Sequence, residues 1–150
     1  MAAAFACICS GLACRVAIGP AAAAALSPRI YFTATESNGV PDDVGSVDFS
    51  CSDKIYTVVE FQDLSRERHE IEVIWRDPNG KTREHTRYPF VAIHETQRVW
   101  AWLRLHRPTG ANVLSVIDSA AGMQEFIGEW SVKVIVDDRL VGKDRFNVLC

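Results

Sequence analysis

The 150-residue chain contains no Cys-x-x-Cys pair, no Gly-x-Ser-x-Gly, no Ser-x-x-Lys and no glycine-rich phosphate loop. With them go the short motifs of disulfide exchange, serine hydrolysis and nucleotide binding. A basic excess is also missing. The net charge is −3, which supplies no field to neutralise phosphates and argues against a nucleic-acid partner. After the first 26 residues no stretch holds a 3.6-residue apolar period for three turns, so a helical bundle is excluded. Acidic side chains are absent from residues 1–26, whose one charged residue is Arg15, while the rest of the chain carries all 19 acids.

That alanine-rich prefix is not read as part of the fold. Ala2 to Ala13 has the length of a signal-peptide apolar region, and an A-x-A site at Ala23–Ala25 places a mature start near Leu26. Residues 1–25 are therefore read as an export signal or a disordered tail, and residues 26–150 as one domain. Arg15 splits the apolar run into pieces too short to span a bilayer, so no membrane span is expected in the mature chain. Leu12-Ala13-Cys14 only weakly matches a lipid-attachment motif, because Gly11 stands where the leucine belongs. The resulting expectation is a periplasmic or secreted protein, with a lipid-anchored or cytoplasmic one as the weaker alternatives.

Outside the prefix only Cys51 and Cys150 remain, an even number of the kind exported proteins carry. Val47, Phe49 and Cys51 share one strand parity, as do Phe146, Val148 and Cys150. Both thiols are thus expected on apolar faces, where they form a disulfide or stay as two reduced core cysteines.

From Pro28 onward the chain alternates apolar and polar residues in short runs separated by turn residues. Ile55, Thr57, Val59 and Phe61 share one side, as do Trp130, Val132, Val134 and Val136. Asp77-Pro78-Asn79-Gly80 between Trp75-Arg76 and Lys81 is a hairpin turn, since proline presets φ and glycine takes the left-handed position. Thr82–Arg87 is polar on both faces, as befits a sheet edge, and Tyr88-Pro89-Phe90 is expected to end it. Asp118–Phe126 has room for one helical turn. The fold class expected is all-β, a single antiparallel sandwich of seven to nine short strands.

Gly128-Glu129-Trp130-Ser131-Val132-Lys133-Val134, with Gly142 and Phe146-Asn147-Val148, resembles the last hairpin of bacterial immunoglobulin-like modules. Trp75-Arg76-Asp77-Pro78-Asn79-Gly80-Lys81 resembles their mid-domain hairpin. The resemblance covers about 30 residues and implies an immunoglobulin-like sandwich with no enzymatic activity attached to it. Cys150, as the final residue, comes too late for the pin of antibody-type domains.

Chemistry-bearing constellations are few. His69, His85, His94 and His106 have no metal-ligand spacing along a strand face, and they read as solvated strand and loop histidines. Asp42-Asp43 and Asp137-Asp138 read as turn residues. No catalytic residue, metal or cofactor is expected. The exception to this blandness is the strand Val99–His106. It places Val99, Ala101, Leu103 and Leu105 on one side and Trp100, Trp102, Arg104 and His106 on the other. Two tryptophans beside a cation suit a binding surface for a protein or carbohydrate partner. The competing explanation is that Trp100 and Trp102 are core, or lie beneath Asp118–Phe126. A non-catalytic extracytoplasmic binding or assembly module is the function expected. The alternatives are a structural or chaperone-like envelope subunit using a strand edge and, more remotely, a small enzyme with a scattered site.

Overall fold

The computed structural model describes residues 27–106 and 122–150. The export signal or tail expected over residues 1–25, the run Val113–Ile117, whose alternation reads as a strand, and the start of the turn expected over Asp118–Phe126 lie outside these; the end of that turn, Gln124–Phe126, is a single 3-10 turn. Among the described residues there are ten strands: β1 Arg29–Thr33, β2 Glu36–Ser37, β3 Val40–Pro41, β4 Asp48–Ser50, β5 Lys54–Gln62, β6 Arg68–Arg76, β7 Thr82–Val91, β8 Thr96–Arg104, β9 Gly128–Val136 and β10 Arg139–Leu149. The count exceeds the expected seven to nine because the two-residue β2 and β3 pair only with each other as a small hairpin.

Two sheets face one another. One has the order β1-β5-β8, the other β4-β10-β9-β6-β7. The first, second and fifth long strands therefore share one layer, and the third, fourth, sixth and seventh share the other. This is the strand order of an immunoglobulin-like β-sandwich. The sandwich is antiparallel as expected, with one parallel pair at an edge. β4 runs parallel to β10, because the chain crosses from one layer to the other after β1 and reaches the far edge travelling in the direction of the last strand.

Period-two patterning accounts for the core. Ile71, Val73 and Trp75 of β6, Trp130, Val132, Val134 and Val136 of β9, and Phe146 and Val148 of β10 point inward against Ile55, Val59 and Phe61 of β5. Each large apolar side chain buried this way contributes about 1.5–3 kcal/mol. Trp75, fully buried, donates its indole N–H to Thr57 Oγ1 across the sandwich at 3.0 Å. Antibody-type domains pin their sheets with a disulfide beside such a tryptophan; here a hydrogen bond joins the layers at that level.

The β6–β7 hairpin forms as its turn residues require. Gly80 sits at φ 78°. The buried Asp77 accepts hydrogen bonds from the backbone N–H groups of Asn79 and Lys81, both at 2.9 Å, and from Arg83 Nε at 2.6 Å. Thr82–Arg87 is indeed at a sheet edge, but the strand does not end at Tyr88-Pro89-Phe90. It continues to Val91, because at an edge a proline's missing N–H costs no ladder bond.

Cys51 and Cys150 form a disulfide with Cα atoms 5.3 Å apart. The bridge lies at the rim of the sandwich rather than inside it. Cys51 packs partly against the core, while Cys150 is exposed and Val47, of the same parity, is open to solvent. Parity points toward the core only while a strand lies over it, and β4 is three residues long.

Candidate functional site

β7 and β8 are the neighbouring edge strands of the two sheets, and a cleft of about 500 Å³ opens between them. Glu84, Thr86 and Tyr88 of β7 line one wall. Trp100, Ala101, Trp102 and Arg104 of β8, with His106 just past its end, line the other. All four residues singled out on the aromatic side of this strand thus meet in one cleft. β8 ends at Arg104 rather than His106, so His106 joins the cleft from the following loop.

The burial of β8 follows its alternation. Val99, Ala101 and Leu103 are core residues, whereas Trp102 is 52% exposed and Trp100 is half-buried. Trp100 packs on a second apolar cluster on the outer side of the smaller sheet, made of Tyr31, Tyr56 and Val58. Register explains the cluster: Tyr31, Val58 and Trp100 lie side by side across β1, β5 and β8, and Tyr56 lies beside Trp102. Cations rim this aromatic surface. Lys54 Nζ lies 4.5 Å from the Tyr56 ring centre and 5.3 Å from that of Trp102, and Glu36 holds it at 3.1 Å. Arg98 donates to Tyr31 Oη at 2.7 Å and to the Pro41 carbonyl at 2.9 Å, so both strands of the β2–β3 hairpin are tied to this face.

Nothing local in the sequence marks Tyr88, because Tyr88-Pro89-Phe90 reads as the end of its strand. Its hydroxyl donates to the Trp100 carbonyl at 2.9 Å and ties the two edges together. Burial holds the Tyr88 pKa above its ordinary value despite that hydrogen bond, so the group remains a donor. Glu84 and Thr86 go unmarked for a different reason: nothing local says that an edge strand of one sheet will face β8 of the other.

A second cleft, of about 520 Å³, contains His69, Ser65, Glu67 and Asp137. His69 is only 5% exposed, contrary to the expected solvated histidine, because it lies on the inward parity of β6. Its Nδ1 is 2.7 Å from Asp137 Oδ2, and its Nε2 is 2.9 Å from the Ser65 carbonyl and 3.3 Å from Ser65 Oγ. Serine, histidine and aspartate in a row suggest a nucleophile with its base, but the hydrogen bonds oppose that assignment. Carboxylate and carbonyl oxygens only accept, so the arrangement is satisfied when both ring nitrogens donate, as in the imidazolium form that the raised pKa favours. The Ser65 hydroxyl gives its own proton to Glu67 Oε1 at 2.7 Å. A ring that already holds both protons cannot take another from Ser65. Asp137 and Asp138, both at positive φ, form the β9–β10 turn as expected, and Asp137 Oδ1 also accepts the Glu70 N–H at 2.9 Å.

Burial presses the His69 pKa down, but the Asp137 and Ser65 hydrogen bonds and the charges of Asp137 and Glu67 together raise it. Burial likewise presses the Asp137 pKa up, and the His69 and Glu70 hydrogen bonds bring it below the usual carboxylate value. The histidine's contribution to stability is complete below an ordinary histidine pKa of about 6.5 and is lost as pH rises through the raised value. The aspartate's contribution is present above about 3.9 and is lost as pH falls through the lowered one. The wild type is therefore expected to melt higher at mildly acidic pH than at pH 8.5, and His69→Gln is expected to flatten that difference. Equal slopes for both proteins in thermal melts across this range would disprove the ion pair.

Among the described residues no group of three or more His, Cys, Asp or Glu side chains is placed to hold a metal ion. Likewise among them, no helix is long and apolar enough to cross a membrane.

No protein-family model matches the chain, and no curated protein matches it. Solved structures do. An immunoglobulin-like protein from Pseudomonas aeruginosa aligns with TM-score 0.46 and 13% identity over 86% of this chain and 100% of its own. A β-glucosidase involved in saponin metabolism, from intestinal bacteria, aligns with TM-score 0.42 and 14% identity over 83% of this chain but 16% of its own. The class itself rests on strand order and register.

Proposed function

We propose that this protein is a non-catalytic binding module that works in the periplasm or outside the cell and holds a carbohydrate partner in the β7–β8 cleft. The observation that carries this reading is Trp102, a large aromatic plane left half open to solvent in a cleft that also presents Trp100, Tyr88 and polar groups of both signs. Exposing an indole forgoes burial worth a few kcal/mol, and an apolar plane with polar neighbours suits a sugar ring, which has an apolar face and a hydroxylated rim. Few convergent polar groups in a mostly preformed cleft are the usual make-up of a small-ligand site. The disulfide supports an oxidising compartment.

Assembly through a strand edge has less support. An added strand needs a continuous row of free backbone groups. On β8 the Tyr88 hydroxyl already occupies the Trp100 carbonyl, and on β7 charged residues and Pro89 discourage pairing.

Titrating the protein with a panel of soluble neutral and acidic polysaccharides while following tryptophan fluorescence tests the proposal. A saturable change is expected for at least one of them, lost in Trp102→Ala at unchanged melting temperature. No change with any polysaccharide, or the same change in wild type and variant, would refute it.

A further inference from the structure

We infer that the saccharide is acidic, with its pyranose ring on Trp102 and its carboxylate or sulfate on Arg104; this rests on the cleft being the binding site. The argument begins with charge placement. Lys54 and Arg104 are direct partners in the β5–β8 register and so share one side of the sheet. Like charges placed opposite each other destabilise a sheet. Lys54 has Glu36 at 3.1 Å. Arg104 has no carboxylate within ion-pair distance among the described residues, although Glu84 lines the same cleft. Among the described residues this leaves a cation without a carboxylate partner beside a second cation, a departure from ordinary sheet chemistry. Such departures concentrate where function requires them.

The neighbouring groups give this cation a task. Trp102 and Arg104 are two residues apart on one strand face, about 7 Å along β8. That span matches a ring lying flat on the indole with an exocyclic acid reaching the guanidinium. Arginine's planar fork binds carboxylate and sulfate oxygens through two parallel N–H donors. Across the cleft, Glu84 and Thr86 accept and donate to ring hydroxyls. His106 stands on the Arg104 side as a further donor. The chain's net charge of −3 repels acidic polymers as a whole. Retention of such a polymer therefore has to come from a local site, not from a general basic field.

Affinity electrophoresis of the full-length protein through gels holding matched polysaccharides decides the matter. Polygalacturonate is set against its methyl ester for the carboxylate, and dextran sulfate against dextran for the sulfate. Retardation is expected in one acidic gel with an apparent affinity about tenfold above that in its neutral twin. Arg104→Gln should abolish the difference and Arg104→Lys should restore part of it, while Trp102→Ala should abolish retardation altogether. Equal retardation in acidic and neutral gels, unchanged in Arg104→Gln, would overturn the acidic assignment and leave the carbohydrate module standing. Retardation in acidic gels that survives Trp102→Ala would reduce the effect to simple ion exchange and overturn the site. Free migration in all four gels would overturn both readings.

Discussion

Reducing the Cys51–Cys150 bond is expected to lower the free energy of unfolding by about 4 kcal/mol. The bridge joins residues separated by 99 positions, and closing a loop of roughly 100 residues in the unfolded chain removes up to about 4.7 kcal/mol of conformational entropy. The native contacts beside it are few: β4 and β10 share three register pairs, Asn147 with Asp48, Val148 with Phe49 and Leu149 with Ser50. Without the cross-link both the last strand and β4 should fray from this end. For a domain of this size the melting temperature should fall by on the order of 15 °C. Calorimetry with and without reductant, and on a Cys51→Ser/Cys150→Ser double variant, measures it. A drop below about 5 °C would mean that the edge pairing stands without its staple.

The second large effect separates the tryptophans. Trp75→Ala should cost about 3–5 kcal/mol, the usual loss for a buried aromatic, because it empties the centre of the sandwich. It also strands the Thr57 hydroxyl, which accepts the indole N–H at 3.0 Å and lies fully buried. Trp102→Ala should cost under about 1 kcal/mol, as for other exposed positions. Denaturant titration of the two variants gives the comparison directly, and iodide should quench Trp102 while sparing Trp75 and Trp130. A loss of several kcal/mol in Trp102→Ala would make that residue structural and remove the basis of the binding site.

Much of the fold was legible in the chain because its cues are local. Alternation in β5, β6 and β9 depends on neighbours two residues apart. The β6–β7 hairpin depends on Asp77, Pro78 and Gly80. The sidedness of β8 needed only the pattern Val99 to Leu105. The errors came where a local rule depends on place in the sheet. Pro89 reads as a strand breaker, yet on the outer edge of β7 its lack of an N–H is harmless. His69 reads as one polar residue in a charged stretch, yet its parity carries it into the interior. It is stabilised there by Asp137, 68 residues away.

What the sequence by itself determined is the kind of sheet surface each strand presents. Side-chain period and turn chemistry act over a few residues and survive any arrangement of the strands. The two apolar layers, the cysteine pair and the aromatic side of β8 follow from that. Tertiary structure alone decided which surfaces meet. It set β7 against β8 to make the cleft, gave Tyr88 the Trp100 carbonyl, placed Lys54 opposite Arg104 and ran β4 parallel to β10. Those outcomes depend on register and on the order of strands across the sheets. Both are set by the burial of all the strands together and not by any one segment.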